Sequence, residues 1–135
     1  MEQRQYFDMV REYLHELDIK IVEEDLDGLL FVIEDEDSGI SNMMLDCQDP
    51  LLIAEQLIMP VPENCDGLFK KLLQMNRELV HGAYVLDAEA KYILFRNTLQ
   101  LRTLDLGELE STIRALSLGL AEHSTDLLAF ANHQA

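Results

Sequence analysis

ELVHGAYVLDAEAKYILFRN, residues Glu78–Asn97, changes its hydrophobic period in mid-course. Up to about Val80 the apolar side chains recur at helical spacing: Leu68, Leu72, Met75 and Leu79 form one stripe, with Phe69, Leu73 and Asn76 beside it. After Gly82 the pattern is that of two strands, Ala83–Leu86 and Lys91–Leu101, joined by a polar turn at Asp87–Ala90. Gly82 suits the left-handed position just past a helix end, because it has no Cβ to clash. His81 then falls in the last helical turn, where an imidazole meets free carbonyls and the negative end of the helix dipole. His81, Gly82 and Asp87 read as punctuation of the chain path rather than as a chemical site.

Outward from this stretch the same two periods alternate. Tyr6, Phe7, Val10, Tyr13, Leu14 and Leu17 make one stripe of an opening helix that ends near Asp18. Ile19–Glu23 alternates as a short strand, and Asp27-Gly28 marks a hairpin. Three longer strands follow, Leu29–Ile33, Ile40–Cys47 and Leu51–Met59, parted by the charged turn EDEDSG (Glu34–Gly39) and by Gln48-Asp49-Pro50. Pro60 and Pro62 close the sheet segment, and Glu63-Asn64 or Asp66 can cap the next helix. Asp105 and Glu108 make a capping-box pattern ahead of a last helix carrying Leu106, Leu109, Ile113, Leu116 and Leu120. Ser124-Thr125 is a candidate break in that helix. The order α-βββ-α-ββ-α, hairpin-connected, predicts an α+β fold: a single antiparallel sheet with helices packed on it, in one domain over residues 1–135.

The 135 residues carry a formal charge of −16. Residues 1–68 hold 18 acidic and 3 basic side chains, the remainder 8 and 7. Such a surface repels phosphate backbones, which argues against nucleic acid as a partner and suits steering of a basic one. No apolar run reaches the roughly 18–20 residues that span a membrane. A cytoplasmic protein without membrane insertion is expected. Cys47 and Cys65 belong to no Cys-x-x-Cys pair and are expected to be reduced.

Tests for chemistry come out against it. With Gly39 at the sixth position of a calcium loop, the twelfth is Leu45, which has no oxygen to offer. His15, His81, His123 and His133 form no His-Glu-x-x-His motif. His15 falls on the exposed face of the first helix, and His123 and His133 sit near the C-terminal end, where a cation suits the helix dipole. No serine lies in Gly-x-Ser-x-Gly and no glycine-rich phosphate loop is present. No catalytic residue, metal or cofactor is expected.

Leu51–Met59 is apolar on both faces, Leu51, Ile53, Leu57 and Met59 on one, Leu52, Ala54 and Ile58 on the other. A strand of a small antiparallel sheet ordinarily wets one face. Either loops or the terminal helix cover the second face, or that face is an interface. The even face, Leu52, Ala54 and Ile58, is the candidate surface for a protein partner or a second copy.

LLQMNRELVHGAYVLDAEAKYILFRNTLQLRTLDLGELESTI, residues Leu72–Ile113, resembles the YbjN-like family, in the structural class of the type III secretion chaperones of the CesT (Tir chaperone) kind. The helix ending Leu73-x-x-Asn76, the strand pair turning at Asp87–Ala90 and the Asp105–Glu108 cap carry the likeness, which spans about residues 1–125. It implies a small acidic protein, often a homodimer, that binds an extended or apolar segment of another protein without catalysis. The alternative it implies is a dimeric regulatory protein in a bacterial signalling or envelope-stress pathway.

Overall fold

The computed structural model describes residues 2–132. Helix α1 (Gln3–Glu16) buries Tyr6, Phe7, Val10 and Leu14, members of the predicted stripe. The Glu2 N–H donates to the Gln5 side chain at 2.8 Å and closes the first turn. At the far end Asp18 takes a left-handed backbone, φ 56°, and the chain turns into the sheet.

The strands are β1 (Lys20–Asp25), β2 (Leu30–Asp35), β3 (Ile40–Gln48) and β4 (Leu51–Pro60), then, after helix α2 (Leu68–Asn76), β5 (Ala83–Leu86) and β6 (Tyr92–Gln100). Helix α3 (Leu106–Asn132) ends the described chain. The six strands pair antiparallel in the order β1-β2-β3-β4-β6-β5. The fold is α+β and its element order is the expected one, with the short strand ahead of the three longer ones present as β1. Between β1 and β2 the Asp25 carboxylate accepts from the N–H groups of Asp27 and Gly28 at 3.0 and 3.1 Å. The EDEDSG turn is a short 3-10 turn, Glu36–Ser38, closed by Gly39 at φ 73°.

Directly opposed residues of paired strands share a face. Phe31, Leu45 and Ala54 are opposed in one row, and Cys47 and Leu52 in another. All five are buried, and all three helices lie against this face. The Phe7 ring of α1 stacks on Phe31 of β2, centroids 4.1 Å apart and planes 7° from parallel. The Arg11 guanidinium covers both rings, 5.2 and 5.9 Å from their centroids, and is held by Asp8 and Glu24. A second apolar cluster joins Leu68, Leu72 and Met75 of α2 to Tyr84, Ile93 and Leu127.

Several boundaries differ from expectation. Helix α2 stops at Asn76 rather than near Val80, so His81 is exposed and outside any helix. Gly82 is left-handed, φ 76°, but it turns the chain into β5 instead of ending the helix. The reason is steric: a Cβ there would stand 2.5 Å from Phe95 Cζ and 3.0 Å from the Arg96 carbonyl oxygen. Gly67, φ 80°, holds the N-cap position of α2, and neither Glu63, Asn64 nor Asp66 caps it. Asp105 does cap α3, accepting from the Glu108 N–H at 2.7 Å. Helix α3 runs through Ser124-Thr125 without a break. In β4 the register with β6 slips between Leu57 and Met59, which turns Met59 inward beside Ile58.

Gly82→Ala and Gly67→Ala separate the two roles of a left-handed glycine. Both variants carry backbone strain of about 1 kcal/mol or more, and only the first adds a clash in the core, for a total of about 3 kcal/mol. Nothing lies within 4 Å of a Cβ at Gly67. Urea denaturation of the two variants measures the difference; equal losses would mean that the Phe95 contact is unimportant.

Candidate functional site

The even face of β4, expected as a partner surface, is turned toward the helices. Leu52 and Ala54 are 0% and 1% exposed, sealed between the sheet and the helices, and Ile58 is partly buried where the two apolar clusters meet. Their cross-strand partners share the face that Phe7 and Phe31 occupy, so the even face of β4 is core and Leu52, Ala54 and Ile58 are not presented to a partner.

The open face carries the other set. Leu57, Leu94 and Val85 line up across β4, β6 and β5. Val32, Met44, Glu55 and Arg96 form the next row, and Leu30, Asp46, Ile53 and Thr98 the row after it. Leu57 is 55% exposed and Met44 43%. Among these apolar side chains the Arg96 guanidinium donates to Glu55 at 2.9 Å. The arrangement is an apolar surface with one ion pair set in it, suited to docking protein rather than to bond-making.

The two sheet edges are treated differently. Along β1, Glu23, Glu24 and Asp25 are exposed carboxylates. At β5 the outward backbone of Tyr84 is occupied: its N–H donates to the Asn76 side chain at 2.7 Å, and its carbonyl accepts from the same amide at 3.1 Å. Asn76 thus pairs with β5 as a neighbouring strand would. Asn76→Ala leaves one donor and one acceptor without that partner and is expected to cost about 1–3 kcal/mol. Faster exchange of the Tyr84 amide hydrogen in that variant is the check.

Among the described residues, three polar side chains are buried. Gln56 accepts from the Ser41 N–H at 3.1 Å and donates to the Gly39 carbonyl at 3.2 Å, beside a register slip between β2 and β3. Thr112 accepts from Asn97 at 3.1 Å, tying α3 to β6. The third is His123, expected near the C-terminal end of the last helix and found inside α3, 4% exposed. Its Nδ1 meets the Tyr84 hydroxyl at 3.0 Å and its Nε2 the Glu78 carboxylate at 3.2 Å. Tyr84 and Glu78, distant in sequence, left no mark by which the pairing could be foreseen. His15 is exposed in the last turn of α1, and His133 lies outside the described residues.

Glu122 is next to His123 on α3, and its carboxylate lies close to that of Glu78. The neighbouring Glu78 carboxylate pushes the Glu122 carboxyl upward, whereas hydrogen bonds from Glu122 and then His123 hold Glu78 below its ordinary value. The ligand atoms of Glu78, Glu122 and His123 all lie within 4.8 Å of one another, near enough to hold a metal ion. Alongside is a cavity of about 280 Å³ between residues 78–81 and α3, lined by Leu79, Val80, Ala115, Leu118 and Gly119.

Burial pushes the Cys47 thiol up to about 12, with the Asp46 charge adding to it. Burial also pushes the Tyr84 phenol up to about 12, helped by Glu122 and Glu78. A thiol so placed is not a nucleophile at neutral pH. Both groups stay protonated in the folded chain while the unfolded chain ionises them from their ordinary values of 9.0 and 10.0. The unfolded state then binds fewer protons, so stability falls as pH rises from about 9 toward 12, by up to about 1.4 kcal/mol per pH unit for each group. Urea midpoints measured across this range are expected to fall, and less steeply in Cys47→Ala.

Among the described residues no helix is long and apolar enough to cross a membrane. No curated protein matches the chain in sequence. Solved structures do match it in fold. YbjN from E. coli superposes with a TM-score of 0.68 at 14% identity, over 89% of this chain and 92% of that one. The HopA1-SchA chaperone-effector complex gives 0.63 at 11%, over 84% and 88%. The type III secretion chaperone SycH of Yersinia pestis, in complex with a stable fragment of YscM2, gives 0.56 at 14%, over 96% and 99%. The sequence model of the CesT_Tir_1 family matches residues 3–133, nearly the whole chain, and the chain belongs to that family.

Proposed function

We propose that the chain is a non-enzymatic, chaperone-like binding module of the cytoplasm. It acts as a homodimer and holds an extended or apolar segment of a partner protein. The observation that carries this reading is the open sheet face, where Leu57, Met44, Ile53, Leu94 and Val85 stand uncovered by the helices around the Glu55–Arg96 pair. Membership of the family and the likeness in fold to a chaperone-effector complex support it. An extended segment crossing the strands would lay alternate apolar side chains on this face. A basic flank of the segment would be drawn to the acidic N-terminal half of the chain.

A second reading, a dimeric regulatory protein in a signalling or envelope-stress pathway, draws on the likeness to YbjN. A charge of −16 disfavours direct contact with nucleic acid, so such regulation would also work through a protein. The two readings differ in the client: an unfolded segment in the first, a folded surface in the second.

Leu57→Asp tests the docking face, because the side chain is 55% exposed and its replacement leaves the core intact. The wild type is expected to suppress aggregation of a chemically unfolded test protein, and the variant to lose most of that effect at an unchanged urea midpoint. Equal suppression by both would remove the open face from the proposal. Light scattering on the eluting protein is expected to give twice the 15.5 kDa chain mass. A mass of one chain would overturn the dimer.

A further inference from the structure

His123, Glu78 and Glu122 make a polar cluster that the docking face does not use. His123 and Glu122 are consecutive on α3, and Glu78 comes from the turn that follows α2. The two carboxylates are exposed, and their ligand oxygens lie within 4.8 Å of each other. The imidazole is buried and aims Nε2 at them. Lys71, the cation whose charge reaches Glu78, is in an ion pair with Asp126 at 3.5 Å. The two carboxylates make the local charge negative.

The geometry suits a metal ion. Zinc binds imidazole nitrogen and carboxylate oxygen at about 2.0–2.2 Å, which sets two ligands of a tetrahedral ion about 3.4 Å apart. The His123 Nε2 and Glu78 Oε2 atoms are 3.2 Å apart, and the Glu122 oxygen is within 4.8 Å of both. Behind the ring, Tyr84 meets Nδ1 at 3.0 Å and serves as the outer-shell oxygen that orients a ligating imidazole. The adjoining cavity of about 280 Å³ reaches both carboxylates and gives the ion its path and room for its waters.

We propose that Glu78, Glu122 and His123 form a three-ligand site for one divalent ion of the zinc class, which clamps the turn after α2 onto α3. Binding moves protons and no electrons. The imidazole, hydrogen-bonded through Nε2–H to Glu78 when metal-free, carries its proton on Nδ1 when bound and donates it to the Tyr84 oxygen. The hydroxyl of Tyr84 changes from donor to acceptor in the same step. The one nitrogen and two oxygens favour zinc, cobalt or manganese over calcium, which takes oxygen alone.

The test is titration of the full, tag-free chain with Zn²⁺ by calorimetry and with Co²⁺ by visible absorption. One equivalent is expected to bind, with cobalt ligand-field bands and a higher melting temperature, since only the folded state offers the site. Glu78→Gln and Glu122→Gln, both at exposed positions and expected to fold, should each weaken binding by at least about tenfold. His15→Ala, on the exposed face of α1, should leave it unchanged. Long-range ¹H–¹⁵N spectra should show the His123 proton moving from Nε2 to Nδ1 on Zn²⁺ addition. Absence of binding at micromolar protein, unchanged affinity in both glutamine variants, or an unchanged His123 tautomer would each overturn the assignment.

Discussion

The pairing of β4 with β6 is the constraint on which the other contacts depend. It runs from Leu51↔Gln100 to Pro60↔Tyr92 and joins segments separated by α2 and β5. Its register sets Phe95 opposite Gln56, and β5 in turn sets Tyr84 opposite Phe95. From that row the rest is placed. Gln56 reaches Gly39 and Ser41, Tyr84 reaches Asn76 and His123, and Asn97 reaches Thr112. A slip of one residue would turn each of these side chains to the open face and expose the core.

The elements were legible because periods of two and 3.6 residues are local properties. The stripe of α1, the six strands and the Asp105 cap can all be read from neighbouring residues. The covered face of β4 could not be read that way. Both of its faces are apolar, and alternation separates two faces without saying which one a helix covers. What decides it is Phe7 stacking on Phe31, a contact between residues that have no sequence relation. The family resemblance brought the right class into view through residues such as Asn76, whose work, pairing with the backbone of β5, is visible only in three dimensions.

The same limit explains the histidines. His123 sits eight residues from Ala131 and ten from His133, and on that basis it looked like a residue of a helix end. Helix α3 instead runs on to Asn132 and lays His123 on its buried side, between Tyr84 and Glu78. A buried imidazole needs a partner for each nitrogen. Here one partner is a strand residue and the other a turn residue, so a single side chain ties together three parts of the chain.

Asn76 also bears on how copies of this protein can grow together. A sheet that ends in open backbone can be extended indefinitely by its own kind, the geometry of a fibril. Here one border ends in carboxylates that repel their own copies, and the other ends in a side-chain amide where the next strand would begin. Both features work against pairing of copies through the borders. An apolar sheet face can then remain uncovered in a crowded solution without the molecule becoming a seed.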